Sequence, residues 1–473
     1  EQLYCEAMTD NAYTKQPNDA TQNIGNGSYS TADPYVKKVW DGRYTGIRMC
    51  NQLLENIDRV PDLDPELKKR YIGEAKVLRA YNYYELYTKF GDVPYTTKVL
   101  SIKESMSIAR TAKATVIANV LADLDEVING NYLPTSYDAD NKGRITRWAA
   151  MAIKAKIYLF EGNWTQVKNI TSTIMTEGGF KLFESYAGLF EIANEYNSEV
   201  ILDAQYRPTS REHQMMYVFL PPTLGGYSQL SPLQELVDSY IMLDGKTIKE
   251  TGTSFDESHP YANRDPRLKA TVMYTGNSYT LADGTEVVIN CEKGEGKDGY
   301  GVGSDCSATG YYIKKYWDNT YRATLYSGLN PILIRYADIL LMNAEALAEL
   351  GELDKTAWDA TIKPIRDRAG FTLASALEFP EGASKDKLIE IVRNERRSEL
   401  ALEGHRHKDI IRWRIADNVL NGWGHGLKTN DVVGTDDGYV RVENRTFNAN
   451  RHYLWPIPQA ERDLNGNLEQ NPN

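Results

Sequence analysis

Cysteine is scarce: Cys5, Cys50, Cys291 and Cys306 are the only four in 473 residues. They cannot staple a chain of this length, and with no CxxC pair among them neither a zinc site nor a dithiol redox centre is spelled out. Cys291 and Cys306 bracket a glycine-rich loop and leave one disulfide open, since nearness in sequence sets neither the Cα separation nor the Cβ direction such a bond needs. Basic runs are missing too. The 54 Lys and Arg face 65 Asp and Glu, a net charge of −11, and without a concentrated positive footprint nucleic acid is excluded as a partner. No stretch approaches the roughly 18 uncharged apolar residues of a membrane-spanning helix, and HExxH, GxSxG and SxxK do not occur. Phenylalanine is sparse at 10, whereas Tyr numbers 32 and Trp 8. The aromatic content is therefore biased toward rings with a polar handle, which suit wet binding surfaces as well as cores.

What is present is helical periodicity in two blocks. In 34–177, segments 35–57, 65–90, 115–129 and 146–160 carry it, with breaks at Pro61-Asp62 and Gly91-Asp92-Val93-Pro94. In 331–415, Leu333, Ala337, Leu340, Leu341, Ala344, Leu347 and Ala348 form an apolar stripe that predicts a helix with one buried face. Between the blocks, 178–330 is rich in Gly and Pro and reads as an irregular insertion with short strands, such as 200–204 and 287–290. The tail 416–473 reads as loop-rich again, with a loop that sets Trp423 and His425 among Gly422, Gly424 and Gly426. Ala155 and Gly162 repeat the spacing of Ala344 and Gly351, with large apolar residues between. That resembles the end of the first helix in a tetratricopeptide unit, where Ala admits a close crossing and Gly the left-handed turn. The fold class expected is mainly α, with tetratricopeptide-like helix pairs and a loop-rich insertion.

Several spellings invite chemistry. Gly294-Glu295-Gly296-Lys297-Asp298-Gly299 matches GxGxxG, but Tyr300-Gly301-Val302-Gly303 cannot open the helix that would hold a pyrophosphate. The same loop leaves a structural calcium ion on Glu295, Asp298 or Asp305 conceivable, although EF-hand spacing is absent. Otherwise no cofactor is expected. Glu395, Glu399 and Glu403 recur every four residues and could formally act as an acid and base pair on a glycosidic bond. The nearby Arg393, Arg396, Arg397 and Arg406 favour an ion network instead, because a guanidinium lowers the pKa that a general acid needs raised. Sugar rings ask for a flat aromatic beside Asn, Asp or Arg groups. That mixture occurs from Asp10, Asn11 and Tyr13 through Tyr29 and Tyr35, from Tyr300 through Trp317, Asp318 and Asn319, and around Trp423.

The sequence resembles the SusD/RagB family of glycan-capturing surface lipoproteins of Bacteroidetes outer membranes. The matching segments run nearly the whole chain. Among them are Asp10-Asn11-Ala12-Tyr13, Trp40-Asp41-Gly42-Arg43-Tyr44, Glu74-Ala75-Lys76-Val77-Leu78-Arg79-Ala80-Tyr81, Phe90-Gly91-Asp92-Val93-Pro94, Asn263-Arg264-Asp265-Pro266-Arg267, Arg335-Tyr336-Ala337-Asp338, Glu395-Arg396-Arg397, Glu403-Gly404-His405-Arg406 and Trp455-Pro456-Ile457-Pro458. The resemblance implies one SusD-like unit over 1–473, with an α/α superhelix of tetratricopeptide type. It also implies a non-enzymatic protein at the cell surface that captures oligosaccharide and delivers it to a SusC-like TonB-dependent transporter. The tether would be a lipidated N-terminal Cys ahead of Glu1, so Cys5 is not expected to be the anchor. Family ligand sites lie on loops and vary, which leaves Trp317, Tyr29 and Tyr35 as the expected stacking residues and Asp10, Asn11 and Asn319 as the polar ones. Peptide cargo for the same type of transporter, a glycoside hydrolase and a tetratricopeptide scaffold for protein segments are the alternatives.

Overall fold

The computed structural model describes residues 3–15, 21–321, 324–429 and 436–472. They divide into two compact units. One comprises Gly27–Gly178, Ile411–Asp417 and Phe447–Asn473, the other Glu1–Asn26, Gly179–Ile410 and Asn418–Thr446. About 46% of the chain is helical and the strands are short, which is the mainly α architecture expected.

The first unit is a stack of helices in chain order. Pro34–Asn56 packs on Pro65–Phe90, that on Lys113–Asn129, that on Arg147–Phe160, and that on Trp164–Glu177. Each start is chemically marked. Asp33 accepts the Tyr35 backbone N–H at 2.9 Å and Asp64 that of Leu67 at 2.8 Å, with Pro34 and Pro65 at the first helical position where no N–H is needed. Arg79, on the second helix, ties its neighbours by donating to Asn51 Oδ1 at 2.9 Å on the first and to Asp123 Oδ2 at 2.7 Å on the third. Trp455 closes the stack, its ring 5.9 Å from Phe90 and 6.0 Å from Tyr35. Asn471 then pins the tail by donating to the carbonyls of Phe90 at 2.8 Å and Trp455 at 2.7 Å.

The second unit holds the helices Tyr336–Leu350, Lys355–Ala369 and Lys385–Glu399, together with five two-stranded antiparallel ladders. Both Ala-to-Gly repeats end helices as expected, Gly162 lying at φ 70° and Gly351 at φ 72°. Three expectations need correction. Leu333 lies in the strand Ile332–Arg335, paired with Val200–Asp203, and the helix begins only at Tyr336. That helix is buried on nearly every side from Ala337 to Ala346, not on one face, because other segments of the same unit cover its polar side as well. The Trp423 segment is not loop either: Gly422–Lys428 pairs with Tyr439–Arg445. Gly426 serves close approach there, since a Cβ on it would lie 2.5 Å from the Thr309 carbonyl oxygen.

The centre of this unit is an ion network. Arg335, 1% exposed, meets Glu199 at 2.7 Å, Glu399 at 2.6 Å and Glu403 at 2.7 Å. Arg267 meets Asp265 at 2.7 Å, Glu395 at 2.7 Å and Glu399 at 2.9 Å. Arg366 closes on Glu395, Arg368 on Glu199 and Glu399, and Lys315 on Glu403 at 2.7 Å. Burial alone would raise the Glu399 carboxyl, but Arg368, Arg335 and Arg267 outweigh it and hold the group far below the usual carboxylate range. Glu403, also fully buried, is brought down to about 2 in the same way by Arg335 and Lys315. Removing one partner leaves buried charges uncompensated, so Arg335→Met is expected to cost about 3–5 kcal/mol in urea unfolding. The Glu403 pKa lies below its unfolded value of about 4.3, so its contribution is full above that pH and fades as pH falls toward about 2. Urea midpoints measured across that window should fall for the native chain and fall less steeply for Glu403→Gln.

Candidate functional site

Four of the residues expected at a sugar site lie inside the protein. Asp10, 4% exposed, is paired with Arg397 at 3.0 Å and Arg406 at 2.8 Å. Burial opposes its ionisation, and the two guanidinium groups nevertheless hold its carboxyl well below the usual range. Asn11, 1% exposed, donates to Glu6 Oε2 at 2.9 Å and accepts from Arg397 Nε at 2.9 Å. Tyr29 packs its ring 5.1 Å from His452, and burial pushes its hydroxyl pKa up. Tyr35 packs on Trp455. The first two belong to one compact unit and the second two to the other, and each is engaged in packing or ion pairing within its own unit. Trp317 is half-buried, donates Nε1 to the Thr280 carbonyl at 3.0 Å and sets its ring 5.2 Å from Tyr279. Asn319 follows it, half-buried in the turn Asn319–Tyr321.

The remaining chemical candidates also resolve. No helix follows the GxGxxG spelling. Asp298 is buried and accepts the Thr223 N–H at 2.8 Å, while Glu295 and Asp305 are exposed, and among the described residues no cluster of three or more metal-ligating His, Cys, Asp or Glu side chains forms. Cys291 and Cys306 are free thiols. The Cys306 Sγ–H donates to the Lys297 carbonyl at 3.3 Å, and burial pushes the Cys291 thiol pKa up. The Glu395, Glu399 and Glu403 carboxylates are the buried anions of the network above, the opposite of a proton-carrying acid at a cleft.

An open aromatic surface assembles instead from segments that sequence reasoning passed over. Tyr217 lies in the short helix Met215–Phe219; the chain then turns back through Pro221, Pro222 and Gly225, the last at φ 86°. Gly226 crosses so close to Leu220 that a Cβ there would meet its carbonyl oxygen at 2.2 Å. This return brings the Tyr227 N–H to the Tyr217 carbonyl at 3.0 Å and the two rings to 4.4 Å between centroids, tilted 61°, with the Tyr217 hydroxyl donating to Tyr227 at 2.7 Å. Tyr227 is 37% exposed. Tyr326, 44% exposed, joins them: a backbone bridge between His213 and Ser327 sets it beside Gln214, whose amide donates to its hydroxyl. The Tyr217 hydroxyl pKa is raised, first by its bond to Tyr227 and then by burial, with Tyr326 and the charge of Asp305 adding to it. Lys15 joins by backbone to Gln229 at 2.9 Å and by its ammonium to the Cys306 carbonyl at 2.8 Å. Behind the same segment lies a hollow of about 290 Å³ lined by Tyr206, His213, Gln214, Met215 and Val218 among others.

Apolar ring faces beside hydroxyl and amide groups can stack on a sugar and hydrogen-bond its rim, whereas this surface carries no activated nucleophile. The signal available in the sequence was a tyrosine on either side of the Pro221-Pro222 to Gly225-Gly226 turn, which aromatic content alone did not single out.

Residues 188–473 match the family described as the SusD family, and residues 1–159 match a family described as starch-binding and associating with the outer membrane. Among curated relatives, the SusD-like protein P25 of Formosa agariphila is 28% identical over 439 residues, spanning 86% of this chain and 77% of its own. Among solved structures, a SusD-like carbohydrate-binding protein of Bacteroides fragilis superposes with a TM-score of 0.88 at 29% identity, over 99% of this chain and 92% of that one. A second SusD-like protein of Bacteroides fragilis gives 0.84 at 28% identity, over 99% and 93%. With more than half its length matched by the family description, the chain belongs to the SusD family.

Proposed function

We propose that this protein is a non-catalytic oligosaccharide-binding component of the outer membrane surface, capturing glycan on the Tyr217, Tyr227 and Tyr326 surface and passing it to a SusC-like TonB-dependent transporter. The observation that carries the reading is the mutually bonded pair of half-buried Tyr217 and exposed Tyr227 on a sterically determined turn. An aromatic pair with exposed faces is a preorganised platform: its rings are already ordered, so little freedom is lost when a pyranose stacks. Membership of the SusD family supports the class of ligand, as does the likeness to a carbohydrate-binding protein at 29% identity. The outer-membrane address takes its support from the family description matched by residues 1–159. Trp317, fastened to Thr280 and Tyr279, and Asn319 are assigned to the rim of this unit and not to the platform.

Calorimetric titration with a panel of plant and host oligosaccharides, and a peptide pool in parallel, tests the reading. Saturable heat is expected from one glycan class, and Tyr227→Ala should weaken it by about 1–3 kcal/mol, roughly 5- to 150-fold. Heat from peptides alone would overturn the cargo assignment. Trp317→Ala is expected to lower the melting temperature and leave the affinity within about twofold. Incubation of the native chain with its glycan should release no new reducing ends, and their appearance, with loss in Glu399→Gln, would make the protein a hydrolase.

A further inference from the structure

A cleft of about 700 Å³ opens in the unit that bears the ladders, and it shares no lining residue with the tyrosine surface. That volume lies in the range of roughly 300–1,000 Å³ typical of small-ligand sites. Its floor is a buried polar relay. The Tyr311 hydroxyl, on a residue 2% exposed, donates to Gln234 Oε1 at 2.5 Å; the Gln234 amide, on a residue 9% exposed, donates to Asp238 Oδ1 at 2.7 Å; and the Tyr261 and Tyr311 hydroxyls meet at 3.2 Å. Its walls are aromatic. Tyr261 stacks on Tyr274 at 4.0 Å and 17°, which fixes its plane, and Phe255 and Tyr439 complete the lining.

The relay is unfinished. Gln234 engages one oxygen of Asp238, and among the described residues no other hydrogen bond to that carboxylate and none from the Tyr439 hydroxyl is made. The charges narrow the ligand. Four carboxylates, Asp238, Glu257, Glu292 and Glu295, face three cations, Arg264, Lys293 and Lys428. Arg264 spends its guanidinium on the carbonyls of Val237 at 2.6 Å, Tyr240 at 2.8 Å and Pro260 at 2.8 Å, and Lys428 faces Glu257 at 3.3 Å. An anionic ligand would meet excess negative charge, and a purely apolar one would strand the polar groups of the floor. A neutral ligand with apolar ring faces and a rim of hydroxyls satisfies both.

We infer that this cleft is a second saccharide subsite, taking an uncharged sugar segment between the Tyr261 and Tyr439 walls with Asp238, Gln234 and Tyr311 reading its hydroxyls. The inference rests on the oligosaccharide reading above and adds a site to it. The test is calorimetry with uncharged malto-, cello-, laminari-, xylo- and mannohexaose on four proteins: the native chain, Tyr217→Ala/Tyr227→Ala, that double variant with Asp238→Asn, and that double variant with Tyr439→Phe. The two cleft changes are near-isosteric, and thermal melting confirms that each chain is folded. Expected is one panel sugar that still binds the tyrosine-surface variant at one site per chain, with affinity falling at least tenfold when Asp238→Asn or Tyr439→Phe is added. Native binding abolished in the tyrosine-surface variant would overturn the cleft and leave the oligosaccharide reading standing, as would residual binding indifferent to both cleft changes. Silence of the native chain toward the whole panel would overturn the two together.

Discussion

Arg335 is buried in the loop-rich unit, and its one guanidinium answers carboxylates from three stretches of chain: Glu199 before a strand, Glu399 at the end of a helix, and Glu403 in the turn beyond it. Arg267 and Arg368 draw the same Glu399 from two further segments. Buried charges tolerate no slack, because each is costly unless every partner is in place. The network therefore acts as a positional constraint on segments with little regular hydrogen bonding of their own. In that unit the ladders are two-stranded and short, of a kind marginal in isolation. Helix ends and loops are consequently registered against a common set of ions.

That constraint explains how irregular chain can present an ordered surface. The hydrophobic cluster around Phe219, Leu220, Leu224 and Tyr316 lies beneath the segment that carries Tyr217 and Tyr227, and the same cluster includes Tyr186, which receives a hydrogen bond from Lys315 of the network at 3.0 Å. Core and network together hold the turn whose glycine admits the Leu220 carbonyl. Tyrosine is then used in two ways. Tyr240, Tyr279, Tyr311 and Tyr312 fill the interior, while Tyr227 and Tyr326 stay open to solvent. One composition serves both because a phenol packs like a hydrocarbon and bonds like an alcohol.

The helix stack was legible from the chain. Pro34, Pro65, Asp33 and Asp64 mark starts, Gly91 and Gly162 mark ends, and apolar spacing fills the interval, all of which are local rules. The ionic role of Glu395, Glu399 and Glu403 was legible too, from the arginines beside them, although their principal partners Arg267, Arg335 and Arg368 lie far away in the chain. Errors arose where distant chain changed the meaning of a local pattern. The segment 422–426 looked like loop and is strand, Gly426 leaving room for the Thr309 backbone. Leu333 looked like the first residue of a helical stripe and pairs in a ladder with residues about 130 positions earlier.

The residues of the proposed platform were the least legible. Asp10, Asn11, Tyr29 and Tyr35 have the side chains a sugar site needs, but type does not reveal exposure, and arginines and aromatic rings remote in sequence had already taken them. Tyr227 has the same chemistry and stays accessible, because the turn at Gly225 and Gly226 and its backbone bond to half-buried Tyr217 set its ring at the surface. Helix placement and the absence of nucleic-acid and membrane-spanning features follow from composition and local pattern, and the family from the resemblance of motifs spread along the chain. Which tyrosines face solvent follows from long-range packing, because burial is a property of what lies across from a residue and not of the residue itself.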